Sequence, residues 1–163
     1  AGTGLTYCGY AIEDLAENAS FEEVAWLLFH GDLPNREQLD GFQLRLQRLR
    51  SLPDPLKTML EQLPGEAHPM DVLRTGCSAL GCLEPETSFG QQLEIAERLL
   101  AVFPSMLAYW HHFQTSGRRI DVETDDESIA GHFLHLLHGQ PPSDEHRHGL
   151  DAAQPHTHHH GCC

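Results

Sequence analysis

Apolar residues recur every three or four positions along most of the chain, and charged residues fill many of the positions between them. The clearest example is the set Leu39, Phe42, Leu46 and Leu49. Because side chains three or four positions apart lie on one face of a helix, this spacing predicts amphipathic helices. No segment alternates apolar and polar residues strongly enough to predict a sheet. We therefore expect an all-α fold class with a bundle-like arrangement of helices.

Several helix ends are predicted by capping residues. Ser20 followed by Glu23 is a capping box, in which each side chain can bond to the backbone amide of the other residue. Asn35 and Gln38 repeat that spacing. Gly31 lies where the first of these helices should end, since glycine readily adopts the left-handed conformation found after a helix. These residues predict two consecutive helices.

Two further features bear on helix ends in the second half of the chain. Pro104 is expected to break or kink the helical segment between two pieces, at about 91–103 and 104–114, because proline lacks an amide proton. Further along, Asp125 or Asp126 is expected to cap the helix that carries three histidines.

Composition favours one globular domain that does not bind nucleic acid. The 163 residues suit a single domain, and 24 acidic against 10 basic residues give a net charge of −14. That charge opposes binding to a phosphate backbone. The local cluster Arg45, Arg48 and Arg50 is expected on a solvated helix face. There is no apolar run of about 18 residues and no signal-peptide pattern, so we expect a soluble, cytoplasmic product.

Histidines and cysteines raise the question of a metal site. His132, His135 and His138 recur every third residue, but three-residue steps drift around a helix, so their rings should not converge on one ion. We expect packed or hydrogen-bonded structural histidines instead. The His- and Cys-rich segment 152–163 is expected to be a disordered tail that binds metal only adventitiously. The five cysteines match no zinc site or disulfide framework, which favours a reducing compartment.

Six blocks of sequence point to a known family. They occupy residues 5–10, 21–25, 28–31, 68–76, 109–110 and 123–139. In this order they resemble the citrate synthase family, over residues 3 to about 151. The His-Pro-Met-Asp start of the fourth block and the Glu-Thr-Asp-Asp start of the sixth favour the branch that makes 2-methylcitrate. The resemblance implies that residues 1–151 are a partial large domain of that family.

The resemblance also implies a reaction. The family condenses an acyl-CoA with oxaloacetate and water; in the 2-methylcitrate branch of propanoate metabolism the thioester is propanoyl-CoA, and CoA is released. It uses two histidines and an aspartate, with no metal and no cofactor. Its Ala-Glu-His, His-Gly-Gly and Gly-His-Pro blocks and its catalytic aspartate lie C-terminal to the matched region, and none of those blocks occurs in this sequence. No catalytic residue is therefore assigned, and the isolated chain is expected to be inactive.

A binding residue and an interface are also implied by the resemblance. Arg45 is the candidate substrate-binding residue, because family members tend to carry a basic residue at that point of the helix; a solvent-facing arginine is the alternative. Helices matching 68–81 and 98–114 pack across the interface of an obligate homodimer, although packing within one chain would use the same residues. The residues of the second helix that suit an interface are Phe103, Met106, Leu107, Tyr109 and Trp110.

The sequence departs from the family at Cys8, where an arginine is usual, and at Ala11, where an acid is usual. Either change could weaken local hydrogen bonding. Three alternative functions stay open. The parent protein could be an ordinary citrate synthase that uses acetyl-CoA. The chain could be a non-catalytic helical dimerisation module that pairs with complete subunits, or a metal-binding protein that acts through residues 152–163.

Overall fold

The computed structural model describes residues 5–153, without the side chains of residues 148, 152 and 153. Within that range the chain forms helices joined by short connections, preceded by one small hairpin. The prediction of an all-α fold is confirmed. In chain order the elements are β1 (Thr6–Tyr7), β2 (Tyr10–Ala11), α1 (Ile12–Asn18), α2 (Phe21–His30), α3 (Arg36–Arg48), α4 (Asp54–Glu61), α5 (Pro69–Leu83), α6 (Gln92–Ser116), α7 (Ile129–His138) and α8 (Asp144–Ala153).

The hairpin is antiparallel and places Thr6 opposite Ala11. Its turn holds Cys8 at φ 47° and Gly9 at φ 90°. Two consecutive residues with positive φ are typical of the tight turns that join hairpin strands. Two strands of this length cannot form a core of their own, so the hairpin serves as the lead into α1.

Both predicted capping boxes are confirmed. At the start of α2, the Glu23 amide donates to Ser20 Oγ at 3.3 Å, and the Ser20 amide donates to Glu23 Oε2 at 2.7 Å. At the start of α3, Asn35 and Gln38 make the same reciprocal pair at 2.8 and 2.9 Å. Gly31 ends α2 at φ 82°, as its position predicted. Local sequence therefore determines both ends of α2 and the start of α3.

The predicted break at Pro104 is wrong, because α6 is one continuous helix of 25 residues with this proline inside it. An internal proline removes a backbone hydrogen bond and crowds the preceding turn, which costs about 3 kcal/mol. Burial offsets that cost: α6 lies at the centre of the fold and packs against α3, α4, α5 and α7. No helix in residues 5–153, α6 included, is both long enough and apolar enough to cross a membrane.

The core has two main groups of buried side chains, both built around α6. The smaller group joins α2, α3, α6 and α7 through Ala25, Phe42, Leu46, Ala101 and Ile129. Each fully buried aliphatic or aromatic side chain contributes about 1.5–3 kcal/mol relative to exposure. The larger group joins α4, α5 and α6 to the neighbouring connections and α7; it consists of Leu52, Leu56, Leu60, Val72, Leu80, Val102, Met106, Ala108, Tyr109, Trp110, Val122 and Leu136.

The last described element is α8, which ends at Ala153, two residues past the domain boundary predicted at residue 151. The remainder of the predicted tail, 154–163, lies outside the described residues. The first two residues assigned to that tail, Ala152 and Ala153, therefore belong to a helix.

Candidate functional site

Polar side chains from four helices and two connections meet beside the N-terminus of α7. We call this set the α7 polar cluster. Three of its residues, Glu22, Ser105 and His132, have no exposed surface, and Arg50 is 1% exposed. Buried polar groups of this kind are costly unless they find hydrogen-bond partners within the protein. The members are Glu22, Arg50, Ser105, Thr124, Asp126, Ser128, His132, His135 and Arg147.

The His132 ring lies between two hydroxyl groups. Its Nε2 atom is 3.2 Å from Ser105 Oγ on α6, and its Nδ1 atom is 3.0 Å from Thr124 Oγ1. Burial, with a smaller effect of the Arg50 charge, lowers the pKa of His132 to about 3. The ring is therefore neutral near pH 7, and each hydroxyl can donate or accept as the tautomer requires. With both nitrogens engaged and no exposed surface, His132 positions α7 against α6 and offers no free base.

Arg50 is buried, so the prediction of a solvated arginine is wrong at this position. Its Nη1 atom donates to the Thr124 carbonyl at 3.1 Å, and its Nη2 atom donates to the Ser128 carbonyl at 3.3 Å. Burial lowers the pKa of Arg50 to about 10, while the charges of Asp126 and Glu22 act to raise it. The guanidinium therefore stays charged near pH 7. The guanidinium thus supplies hydrogen bonds to backbone carbonyls of the connection between α6 and α7. That connection has no regular secondary structure whose amides could bond to them.

Asp126 does not cap α7 as predicted. Ser128 is the capping residue, and its Oγ atom accepts from the Gly131 amide at 2.9 Å. Asp126 instead binds two side chains: Oδ2 lies 2.5 Å from His135 Nδ1, and Oδ1 accepts from Arg147 Nη2 at 3.2 Å. The Asp126 side chain is 5% exposed. Asp126 thus joins α7, through His135, to α8, through Arg147.

The three histidines of α7 have separate environments. His132 is enclosed, His135 is paired with Asp126, and His138 is exposed in the last turn. The expectation of packed or hydrogen-bonded histidines is thus confirmed for the first two. Within residues 5–153, no group of three potential ligands could hold a metal ion. The histidine-rich residues 156–160 lie outside the described part of the chain.

Arg45, the predicted substrate contact, is bound to a glutamate of α6. Its Nε and Nη2 atoms donate to the two carboxylate oxygens of Glu97, at 3.2 and 3.0 Å. The Glu97 side chain is 8% exposed and that of Arg45 is 47% exposed. The guanidinium also lies 5.7 Å from the centre of the Phe42 ring. Arg45 thus joins α3 to α6, and a substrate contact remains a prediction for its exposed part.

A second polar cluster was not predicted. Glu61 Oε1 accepts from the Tyr109 hydroxyl at 2.8 Å, and both Glu61 oxygens accept from Arg119, at 2.8 and 2.9 Å. Burial and the neighbouring Glu61 raise the pKa of Tyr109 to about 12, so its hydroxyl keeps its proton. These groups lie beside a polar cavity of about 530 Å³. Sequence could not have found this cluster, because its three residues are separated by 10 to 58 positions.

The helices predicted to form an interface pack together inside this chain. Met106, Tyr109 and Trp110 of α6 are buried in its own core, while Phe103 and Leu107 are only partly buried. Intrachain packing, the alternative for these residues, therefore holds for the first three. Exposed apolar side chains do remain where α5 ends and α6 begins: Leu83 is 41%, Phe89 98% and Leu93 38% exposed.

None of the described cysteines forms a disulfide. Cys8, Cys77 and Cys82 are free thiols, and burial raises the pKa of Cys77, which disfavours its reactive thiolate form. Cys8 Sγ lies 3.7 Å from the Leu27 carbonyl oxygen, so the thiol links the hairpin to α2. Cys162 and Cys163 lie outside the described residues.

Comparison with known proteins gives a consistent result. The family model described as citrate synthase, C-terminal domain, matches residues 1–162. A 2-methylcitrate synthase from Shewanella oneidensis is 56% identical over 153 residues, which cover 94% of this chain and 41% of that protein. A citrate synthase from Haloferax volcanii is 40% identical over 149 residues, covering 86% of this chain and 38% of that protein. The chain thus spans about two-fifths of the length of these relatives.

Solved structures agree. Citrate synthase from Thermotoga maritima superimposes with a TM-score of 0.70 at 28% identity, covering 90% of this chain and 38% of that one. Citrate synthase from Thermoplasma acidophilum, solved as a ternary complex with carboxymethyl coenzyme A and oxaloacetate, gives a TM-score of 0.80. Its sequence identity is 20%, over 95% of this chain and 41% of that one, so this second likeness shows the fold alone. The family match, the identities and the shared fold establish that the chain belongs to the citrate synthase family.

Proposed function

We propose that this chain is part of a 2-methylcitrate synthase. Such an enzyme is an acyltransferase that condenses propanoyl-CoA with oxaloacetate and water, giving 2-methylcitrate and CoA. The observation that carries the proposal is the 56% identity to the Shewanella oneidensis 2-methylcitrate synthase over nearly the whole chain. Citrate synthases from Haloferax volcanii and Deinococcus radiodurans are 40% and 34% identical.

Ordinary citrate synthase activity, with acetyl-CoA, is the competing proposal within the same family. Two 2-methylcitrate synthases from Corynebacterium glutamicum are each 41% identical to this chain, about as similar as the Haloferax citrate synthase. A sequence identity near 40% thus does not distinguish an enzyme that uses propanoyl-CoA from one that uses acetyl-CoA. The preference for propanoyl-CoA rests on the much higher identity to the Shewanella protein and on the two sequence blocks that favour that branch.

The contribution of residues 5–153 to such an enzyme is a rigid helical framework. Every buried titratable side chain of the α7 polar cluster has a structural partner, and His132 is neutral and enclosed. No residue here is assigned to proton transfer on the substrates, which is why we expect no turnover from the chain alone. Arg45 keeps a half-exposed guanidinium. It is the one residue of the chain that we propose as a contact for an anionic substrate.

In the complete enzyme we propose a homodimer whose subunits meet through α5 and the exposed side of α6. Phe103 and Leu107 are the members of the predicted set that stay partly exposed, and α5 offers Met70 at 63% exposure. We also propose that the complete enzyme is cytoplasmic.

A dimerisation module without catalysis would use this surface as well. It predicts co-purification of the chain with a complete, tagged synthase, and a clean monomer with no capture would eliminate it.

A hybrid enzyme tests the proposal. Residues 5–153 would replace the matching segment of the Shewanella oneidensis 2-methylcitrate synthase, and CoA release from propanoyl-CoA would be measured with oxaloacetate present. We expect activity from the hybrid and none from the 163-residue chain alone. A folded hybrid without activity would contradict the proposal, and so would turnover by the highly purified chain alone.

A further inference from the structure

Three large apolar side chains are exposed where α5 ends and α6 begins. Phe89, in the connection between the two helices, is 98% exposed, and Leu83 and Leu93 on either side of it are 41% and 38% exposed. Single exposed apolar residues are common, but a group of them rimmed by polar residues marks an interaction site. We call these three residues, together with the cavity beside them, the α5–α6 surface.

The cavity opens between the same two helix ends and has a volume of about 320 Å³. Leu80, Ile95 and Leu99 give it apolar walls, and Cys77 also lines it. Leu80 belongs to the larger core group, so this wall is fixed by the packing of α5 against α6. The volume is at the low end of the range for ligand pockets, so the cavity suits one inserted side chain.

Hydrogen bonds hold the connection between α5 and α6 in place. Arg98 Nε and Nη2 donate to the two carboxylate oxygens of Glu84, at 2.9 and 2.7 Å. The amide and the hydroxyl of Thr87 both donate to Gln91 Oε1, at 2.9 and 3.2 Å. Phe89 is therefore presented to solvent by a preorganised loop, and binding there would order few additional groups.

The charge around the α5–α6 surface is negative. No basic residue occurs between Arg74 and Arg98, whereas that stretch includes Glu84, Glu86 and Glu94. Glu86 and Glu94 line the cavity and are exposed, and Arg98 is already paired with Glu84. A second copy of this chain, with its net charge of −14, would bring like charges together here. A partner that carries positive charge beside an apolar side chain is complementary.

We propose that the α5–α6 surface binds a basic amphipathic segment of a partner protein. One apolar side chain of the segment enters the cavity, and its lysines or arginines lie beside Glu86 and Glu94. Phe89 and its two leucine neighbours cover the rest of the apolar face. A small molecule in the cavity would leave those three side chains in water, whereas a helical segment covers both parts, as in other helix-in-groove complexes.

This surface is separate from the homodimer contact proposed above. Met70, the exposed α5 residue of that contact, is thirteen positions before Leu83, which is about 20 Å along a helix. The two proposals therefore stand or fail independently.

A designed peptide is the probe. It is labelled with fluorescein, has leucine at every third or fourth position and has lysine at the positions between, and fluorescence anisotropy follows its binding to the 163-residue chain. We expect saturable binding that is at least about tenfold weaker in Phe89→Ser. Phe89 is almost fully exposed, so this change should leave the fold intact. Met70→Ser, at the other end of α5, is the matched control and should bind like the unsubstituted chain.

The charges are tested by a pair of glutamine substitutions. Glu86→Gln with Glu94→Gln should weaken binding and reduce its dependence on salt, because two carboxylates next to the bound lysines are lost. Glu13→Gln with Glu17→Gln removes the same net charge from exposed positions of α1 and should have little effect. Equal weakening by the two pairs would overturn the proposal, and so would binding of a peptide with glutamate in place of lysine.

The cavity has its own reporter in Cys77, which is partly buried in its wall. The bound peptide should slow alkylation of Cys77 and leave alkylation of the exposed Cys8 unchanged. The proposal is wrong if binding survives Phe89→Ser or if Cys77 is not protected. Two other occupants would also overturn it. Dimerisation of the chain that is abolished by Phe89→Ser would assign the surface to a second copy. Failure of the active hybrid enzyme to bind the peptide would show that the rest of the synthase covers it.

Discussion

A Cβ atom placed on Gly76 would lie 2.6 Å from the Sδ atom of Met106, closer than two such atoms can pack. Gly76 is on α5 and Met106 is on α6, and both are buried. The two helices therefore meet where α5 has no side chain. The helix that approaches α5 at this point, α6, belongs to the same chain.

Gly76→Ala should lower the free energy of unfolding by about 1 kcal/mol. Overpacking against Met106 costs about 1–3 kcal/mol, and the better helix propensity of alanine returns about 1 kcal/mol. Gly81→Ala is the matched control on the same helix, because its Cβ would meet no atom within 4 Å. It should stabilise the chain by about 0.5–1 kcal/mol. Urea denaturation of both variants measures the difference, and equal stability of the two would show that Met106 moves aside at no cost.

Arg50→Met should destabilise the chain by about 2–4 kcal/mol, since it leaves the carbonyls of Thr124 and Ser128 without their donor. Arg48→Met, an exposed change two residues earlier, should shift stability by less than about 0.5 kcal/mol. The measurement is the denaturant midpoint of each variant. Equal midpoints would mean that water replaces the Arg50 bonds and that the buried guanidinium stabilises nothing.

Glu22 and His132 should change the free energy of unfolding with pH in opposite directions. The pKa of His132 is lowered to about 3, so as pH falls the unfolded state takes up the proton first and stability is lost below about pH 6.5. The pKa of Glu22 is raised to about 7, so stability is gained as pH falls towards 4.5. Protonation of each group changes the free energy of unfolding by about 2 kcal/mol between pH 7 and pH 5. The two changes have opposite signs and nearly cancel.

Single substitutions should separate these two contributions. Relative to the unsubstituted chain, Glu22→Gln should lose stability as the pH is lowered from 7 to 5, and His132→Gln should gain it. His138→Gln, on the exposed end of α7, is the control and should follow the unsubstituted profile. Chemical denaturation at several pH values provides the measurement. Parallel profiles for all four proteins would mean that neither buried group changes its protonation on folding.

The ion pair between Arg45 and Glu97 should contribute more to the free energy of unfolding than an exposed ion pair does. Arg45→Met leaves the nearly buried Glu97 carboxylate without its partner and should cost about 1–3 kcal/mol. Arg36→Met removes an exposed pair with Asp40 and should cost less than about 1 kcal/mol. A double-mutant cycle with Glu97→Gln isolates the coupling. A coupling energy near zero would leave Arg45 free for a role in binding alone.

Features with a local physical cause were predictable from the sequence. The capping boxes that start at Ser20 and Asn35 need only residues three positions apart, and both form as predicted. The break predicted at Pro104 does not occur, because tertiary packing around α6 outweighs the local cost of the proline. Asp126 and Ser128 are both good capping residues within one short segment. The choice between them was made by Arg147 and His135, which engage Asp126.

The polar clusters could not be predicted, because their members are distant in sequence. Glu22 meets the Ile129 amide across 107 positions, and Arg50 meets Ser128 across 78. A charged residue near the end of an amphipathic helix usually faces solvent, and nothing local distinguishes Arg50 from Arg48. Only the fold shows that the connection between residues 117 and 128 needs a buried donor for its carbonyls.

The most direct test of the central proposal is the kcat/KM of the hybrid enzyme for propanoyl-CoA, compared with its Shewanella oneidensis parent. A second hybrid, with the same residues 5–153 in the Haloferax volcanii citrate synthase and assayed with acetyl-CoA, controls for general tolerance of the exchange. If the chain is part of a 2-methylcitrate synthase, the first hybrid should keep kcat/KM within about tenfold of its parent, and the second should lose much more. That assignment would be contradicted if both hybrids kept the same fraction of their parents' kcat/KM, or if only the hybrid with the citrate synthase were active.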